Sequence, residues 1–307
     1  MAAAMNRSNG LTAEMMHYYE KVFLARAEYE LILDQGAQKR TRENNVGSTL
    51  NFTRYTPLSL ATTALSEGAN PATTTLITAT NVKASLAEYG NTIKVSKFLS
   101  LTSIDVKDRE KVELVGQNMG ETLNRLVRNE IDDWTAMYAN AKAKLSLVKT
   151  SDTLDAADVA LAVRTLEINK ARRYPDGFFL GKTDPYNKYR LVQDSTWVAA
   201  KEYSDVKDLY KGEIGELYGV RFILNIDALS SQGDKASHPA YSTFIHGADA
   251  FGCYDLAGDS PKLIIYDGVD SYNQAGRAAF ISWAGSYVCK TLNSDWGVEF
   301  IAHGYTT

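Results

Sequence analysis

The stretch DVKDREKVELVGQNMGETLNRLVRNEIDDWTAMYANAKAKLSL, Asp105 to Leu147, decides the architecture. Val112, Val115, Met119, Leu123 and Leu126 recur at three- and four-residue spacing, and Ile131, Trp134, Tyr138, Ala141 and Leu145 continue the stripe. That spacing places them on one face of a helix. No proline lies between Pro71 and Pro175 to interrupt it. Asp105 is a good N-cap and Asp108 suits the positive end of the helix dipole. On the opposite face, Glu121 with Arg125 and Arg128 with Asp132 form favourable pairs four residues apart. One continuous helix from Asp105 to Leu147 is predicted, roughly 60 Å long at about 1.5 Å per residue. Gly116 and Gly120 lie four apart on one face, where another backbone can approach closely.

Upstream, Ser48 to Leu101 is rich in threonine and alternates with a period of two. Leu50 and Phe52, then Val82 and Leu86, then Ile93 and Val95 form apolar rows separated by the turn-rich LSEGANPATTT. An antiparallel ribbon with a long tip is predicted. Such a ribbon is marginal alone and leaves open edges, so neighbouring chains are expected to cover Leu50, Phe52, Val82, Leu86 and Ile93. Arg54 and Glu67 are candidates for charge pairs between chains. Before the ribbon, Leu11 to Leu33 suggests a helix, and QKRTRENN, Gln38 to Asn45, a solvated connector. The N-terminal segment therefore resembles an arm.

Downstream, Asp152 to Arg173 is predicted as a second helix. Strands are expected in Gly177–Thr183, Gly215–Asn225, Ser242–Asp255 and Pro261–Gly268, with an exposed loop at Ser230–Ala240. Gly276–Gly304 is expected to form a hairpin turning near Asn293-Ser294-Asp295.

The chain has 307 residues, a net charge of −4 and 45% hydrophobic residues. That composition suits a globular protein with a sizeable core and excludes a dominant basic surface for gripping nucleic acid. It does not exclude a container that encloses DNA. Tyrosine is frequent, at 18 residues, and aromatics are enriched where proteins meet. MAAAMNRSNG has no apolar core of a secretory signal, and no apolar run of about 18 residues suggests a membrane span. Cys253 and Cys289 fall in different segments and are expected as separate buried thiols in a reducing compartment, which makes the sequons at Asn6 and Asn51 chance matches.

No motif carries catalysis. GFFLGKT, Gly177 to Thr183, has three residues between its glycines where a phosphate-binding loop needs four, and they are Phe178, Phe179 and Leu180. His17, His238, His246 and His303 are isolated from one another. Asp132-Asp133 and Glu28 with Glu30 are carboxylates on solvated helix faces. No catalytic residue, cofactor site or metal site is assigned.

The order arm, ribbon, long helix, mixed α/β region and returning strands resembles the major capsid proteins of tailed bacteriophages, whose subunits have the Hong Kong 97-like fold. LSEGANP (Leu65 to Pro71), preceded by NFTRYTPL and followed by Glu88-Tyr89-Gly90, is similar to the E-loop of the podovirus branch typified by the phage N-four. GEIGELYGVRF (Gly212 to Phe222) resembles the start of a strand in the A-domain of that branch, and FFLGKTDPYNKYRLVQD resembles the family's strand, x-Pro and short helix unit. The resemblance implies an α+β chain with an N-terminal arm over 1–47, an E-loop over 48–101 and a P-domain with spine helix over 102–150. An A-domain over 151–265 and returning P-domain strands over 266–307 complete it. It implies no enzyme activity and no cofactor. The implied role is a virion shell protein, assembled in the bacterial host cytoplasm into pentamers and hexamers around double-stranded DNA. A separate scaffolding protein and a portal are implied partners, and no membrane is. Leu65 and Gly68 join Leu50, Phe52, Arg54, Glu67, Val82 and Leu86 as expected assembly contacts. An encapsulin-type nanocompartment shell is the alternative with the same fold, and a nucleotide-binding enzyme resting on GKT the alternative of another class.

Overall fold

A computed structural model describes residues 13–42, 49–55, 58, 60, 62, 64, 67–68, 77–96, 107–149, 151–194, 213–226, 240–256, 259–266, 269, 273 and 276–303. Two helices form its backbone. Helix α1 (Ala13–Glu30) lies along α2 (Lys107–Ile131). The buried face of α2 is Val112, Val115, Met119, Leu123, Val127 and Ile131; Val127 takes the place of the expected Leu126, which is half-buried, and Arg128, expected on the outer face, is buried as well. The two glycines permit the contact: a Cβ at Gly116 would lie 2.6 Å from the Phe23 carbonyl oxygen, and one at Gly120 2.5 Å from that of Ala27. Asn124, buried on α2, accepts from the backbone N–H of Ile32 (3.2 Å) and Leu33 (2.9 Å), which satisfies the chain as it leaves α1. The N-terminal segment is therefore docked on its own chain rather than a free arm.

Helix α2 stays unbroken through both glycines but stops at Ile131, sixteen residues short of the predicted end at Leu147. Asp132 and Asp133 follow, where the negative end of the dipole disfavours carboxylates. Trp134 leaves the helical path and drops into the core against Phe244, Phe251 and His246, its indole N–H donating to Thr291 Oγ1 at 3.0 Å. The next residues form a short strand, and Asn140 and Ala141 adopt left-handed backbone (φ 55° and 50°) that no helix contains. The expected N-cap, Asp105, lies outside the described residues.

Strands β1 (Gln38–Arg42), β2 (Thr49–Tyr55), β3 (Ala79–Ser85), β4 (Ala87–Ser96), β5 (Thr135–Tyr138), β6 (Phe179–Thr183), β7 (Glu213–Leu217), β8 (Val220–Leu224), β9 (Ala240–His246), β10 (Phe251–Leu256), β11 (Lys262–Tyr266), β12 (Ala278–Thr291) and β13 (Gly297–His303) form three sheets. In the five-stranded sheet, β12 pairs antiparallel with β10, β11 and β4, and β1 pairs parallel with β10 at the edge. QKRTR is thus a strand and not a connector; its charges suit an edge that must not recruit another chain. The α1–α2 pair packs on this sheet, with Phe23, Leu33, Phe251, Ile281 and Trp283 in the shared core.

The six-stranded sheet runs β5-β13-β9-β6-β8-β7. The expected hairpin of the last segment does not form. β12 and β13 do turn at Ser294–Trp296, but they belong to different sheets, β13 sitting between β5 and β9. Likewise β10 and β11, expected with the mixed region over 151–265, lie in the five-stranded sheet, while β13, expected with the returning strands over 266–307, lies in the six-stranded one. Helix α3 (Ala156–Ile168) covers the six-stranded sheet and is shorter at both ends than the predicted Asp152–Arg173. Asp155 begins it by accepting from the Asp158 N–H at 2.9 Å, and Lys170 leaves it with φ 53°. Asp155→Ala is expected to destabilise the subunit by about 1 kcal/mol, measured by chemical denaturation, because that N–H loses its acceptor. Strand β6 is buried throughout, then Asp184 caps α4 (Pro185–Gln193) by accepting from Tyr186 and Asn187 N–H at 2.8 and 3.1 Å, with Pro185 in the first turn. The loop expected at Ser230–Ala240 falls outside the described residues except for Ala240, which opens β9.

Candidate assembly surface

The two-stranded ribbon pairs β2 with β3 in antiparallel register, Leu50 opposite Ala84 and Phe52 opposite Val82. Its base is seated on its own chain. Leu50, Phe52 and Ala84 are buried against Tyr254, with Val82, Leu86, Val288 and Leu292 packed around them. Phe52 meets the Tyr254 ring edge-on at a centroid distance of 4.5 Å. Arg54 donates to Asn293 Oδ1 at 2.7 Å. The expectation that Leu50, Phe52, Val82, Leu86 and Ile93 lack cover within the chain is therefore corrected. The cover comes from β10 and β12, more than 150 residues away, and Ile93 belongs to β4 in the central sheet.

Beyond this seat the ribbon is open. Tyr55, Leu58, Leu60 and Ile77, in and next to the ribbon strands, are exposed by 66%, 60%, 88% and 69%. Glu67 and Gly68 are exposed in a turn, Gly68 with φ +76° and open space where a Cβ would stand. Leu65 lies outside the described residues. Sequence reasoning chose the inward row of each strand; the signal for the outward group was the run of apolar residues in TPLSL, read only as part of a motif.

Two other candidate chemistries can be placed. Lys182 of GKT is buried in β6, its ammonium donating to the Leu33 carbonyl oxygen at 2.6 Å and lying 4.7 Å from the Phe251 ring centroid. Burial, only partly offset by Asp34, pulls it down to about 7. It points into the core, away from any phosphate cradle. Asp132 meets a partner that sequence reasoning missed, Glu299 on β13. Glu299 is fully buried and accepts from Ser242 Oγ at 2.5 Å. Burial and then the Asp132 charge push its carboxyl up to about 8, against the opposing pull of the Ser242 hydroxyl and Arg128. Among the described residues no group of three or more His, Cys, Asp or Glu could hold a metal ion, and no helix is long and apolar enough to cross a membrane.

A docked helix pair on one sheet, a second sheet with flanking helices and a projecting ribbon can be compared with solved structures. The capsid of Ralstonia phage GP4 matches with a TM-score of 0.70 at 10% identity, over 88% of this chain and 88% of that one. This chain has the Hong Kong 97-like capsid fold. The Cyanophage Pam1 capsid asymmetric unit matches at a TM-score of 0.63 and 14% identity, over 100% of this chain and 99% of that chain. A virus-like particle from Pyrococcus furiosus matches at 0.56 and 11% identity, over 94% and 100%. No family model matches the sequence, and neither does any curated protein.

Proposed function

We propose that the chain is a major capsid protein, a non-enzymatic subunit that self-assembles into the icosahedral head of a tailed bacteriophage. The observation that carries this reading is the ribbon: seated on its own chain at the base, it holds Tyr55, Leu58, Leu60 and Ile77 out into solvent. Burying each large apolar side chain is worth roughly 1.5–3 kcal/mol, and in a shell a neighbouring copy supplies the cover. In this reading the ribbon is the E-loop, α2 the spine of the P-domain, and the six-stranded sheet the core of the A-domain. Glu67 and Gly68 at the tip, with Leu65, are its contacts to other copies. Leu50, Phe52, Arg54, Val82 and Leu86 act indirectly, by fixing the angle at which the ribbon leaves.

Pentamers and hexamers of the chain would enclose double-stranded DNA by confinement, with a separate scaffolding protein and a portal, in the host cytoplasm and then the virion. Deleting Thr62 to Thr75 should leave a folded subunit with an unchanged circular dichroism spectrum that forms no closed shells in electron micrographs. Normal particles from that deletion would remove the role given to Leu65, Glu67 and Gly68. A nanocompartment shell is the second reading, since the fold also matches a virus-like particle; a terminase or portal gene beside this one selects the phage.

A further inference from the structure

Cys253 and Cys289, expected in separate segments, are direct partners across β10 and β12. Their Sγ atoms stand 3.5 Å apart, both free thiols. Directly opposed residues of antiparallel strands have Cα atoms about 4.5–5.5 Å apart, inside the span of about 4.4–6.8 Å that a disulfide bridges. To form the bond, the sulfurs close from 3.5 Å to about 2.0 Å.

Cys253 also lines a cavity. A cavity of about 380 Å³ between α1, α2 and the sheet is walled by Leu24, Ala27, Met119, Leu123, Cys253 and Tyr287. Cys253 thus lines a space that admits a small reagent, and Cys289 is its direct partner across the two strands. Of the two sulfurs, that of Cys253 belongs to a residue lining the cavity and so meets a reagent first, and the thiolate is the attacking form.

We propose that Cys253 and Cys289 are a built cross-linking site, closing to a disulfide by exchange with a low-molecular-weight disulfide once the chain leaves a reducing compartment. The Cys253 thiolate attacks one sulfur of the small disulfide and releases a small thiolate. The Cys289 sulfur, having lost its proton, then attacks the Cys253 sulfur of the mixed disulfide and releases the second small thiol. The two protons from the protein end on the two departing thiols, the cysteines are oxidised by two electrons, and the small disulfide is reduced. The bond staples the helix-facing side of β10 to β12. On the other side of the same strands, Tyr254 and Val288 form the ribbon's seat. Oxidation therefore fixes the seat. The value of this to a shell rests on the capsid reading; the bond itself does not.

The test is to incubate the unassembled wild-type subunit with 2-hydroxyethyl disulfide, then denature it and alkylate. The expected result is loss of both alkylatable thiols, an intact mass lower by two hydrogens, and one peptide pair linked through Cys253 and Cys289. Two thiols still free after prolonged incubation would overturn the proposal, as would a mixed disulfide that persists on Cys253 or a cross-link between chains. Because the readout needs no shell, it can succeed where the capsid reading fails, and the reverse.

Discussion

Glu299→Gln is expected to leave stability nearly unchanged at pH 5 and to raise it increasingly towards pH 8. Glu299 is fully buried in β13, and its carboxyl is raised from 4.5 to about 8 by burial first and by Asp132. Between those values the folded chain keeps the proton and the unfolded chain has lost it. Unfolding then releases a proton, so the stability from this group is complete below about pH 4.5 and is lost as pH rises through about 8. The slope is about 1.4 kcal/mol per pH unit and the total on the order of 5 kcal/mol. Glutamine is neutral throughout and keeps an oxygen for the Ser242 hydroxyl. Asp158, raised to about 7, Asp184, raised to about 6, and Lys182, lowered to about 7, also titrate across this range. Both proteins carry them, so the difference between variant and parent reports Glu299 together with its neighbour Asp132. Urea midpoints at pH 5, 6, 7 and 8 measure it; a gap that does not widen with pH would show that Glu299 ionises freely.

Gly120→Val is expected to destabilise the subunit by about 3 kcal/mol, the upper part of the range for overpacking. Intrinsic propensity alone points the other way, since glycine is among the poorest helix residues. The steric term decides the sign. A Cβ at this position would meet the Ala27 carbonyl oxygen at 2.5 Å and Glu30 Cβ at 2.8 Å, and neither is a flexible chain end. Relief requires α1 to lift from α2, which exposes Phe23 and Ala27 from the main core. Limited proteolysis should accordingly cut the variant between α1 and β1 faster than the parent. An unchanged or raised unfolding midpoint would refute the close approach.

The parts of this fold that were legible in sequence are those governed by local periodicity. The stripe from Val112 to Ile131, the alternation of Leu50 and Phe52, and the strand–Asp-Pro–helix unit at 179–193 each declare their element within a few residues. What periodicity cannot declare is the partner. QKRTR has no apolar alternation to mark it, and its ladder lies on Gly252–Leu256. Trp134 and Tyr138 kept the three-four spacing of a helix while the backbone had already become a turn and a strand. At the candidate surface the ribbon was visible, but Tyr254 and Val288, which cover its base, are brought there only by the tertiary fold. Glu299 sits in the apolar run VEFIAH, and nothing local distinguishes it from a surface glutamate at a strand's outward position.

The placement of β13 also sets an order of events. It lies between β5 and β9, so the six-stranded sheet has a gap, not merely a short edge, until residues 297–303 arrive. Its ladder to β5 joins Thr135 to Val298, a loop whose closure entropy must be met before the pairing gives anything back. A chain still emerging from the ribosome can dock α1 on α2, yet it cannot complete the sheet onto which α3 packs. The late strand thus acts as a timer: the six-stranded sheet closes only after residues 297–303 have been made.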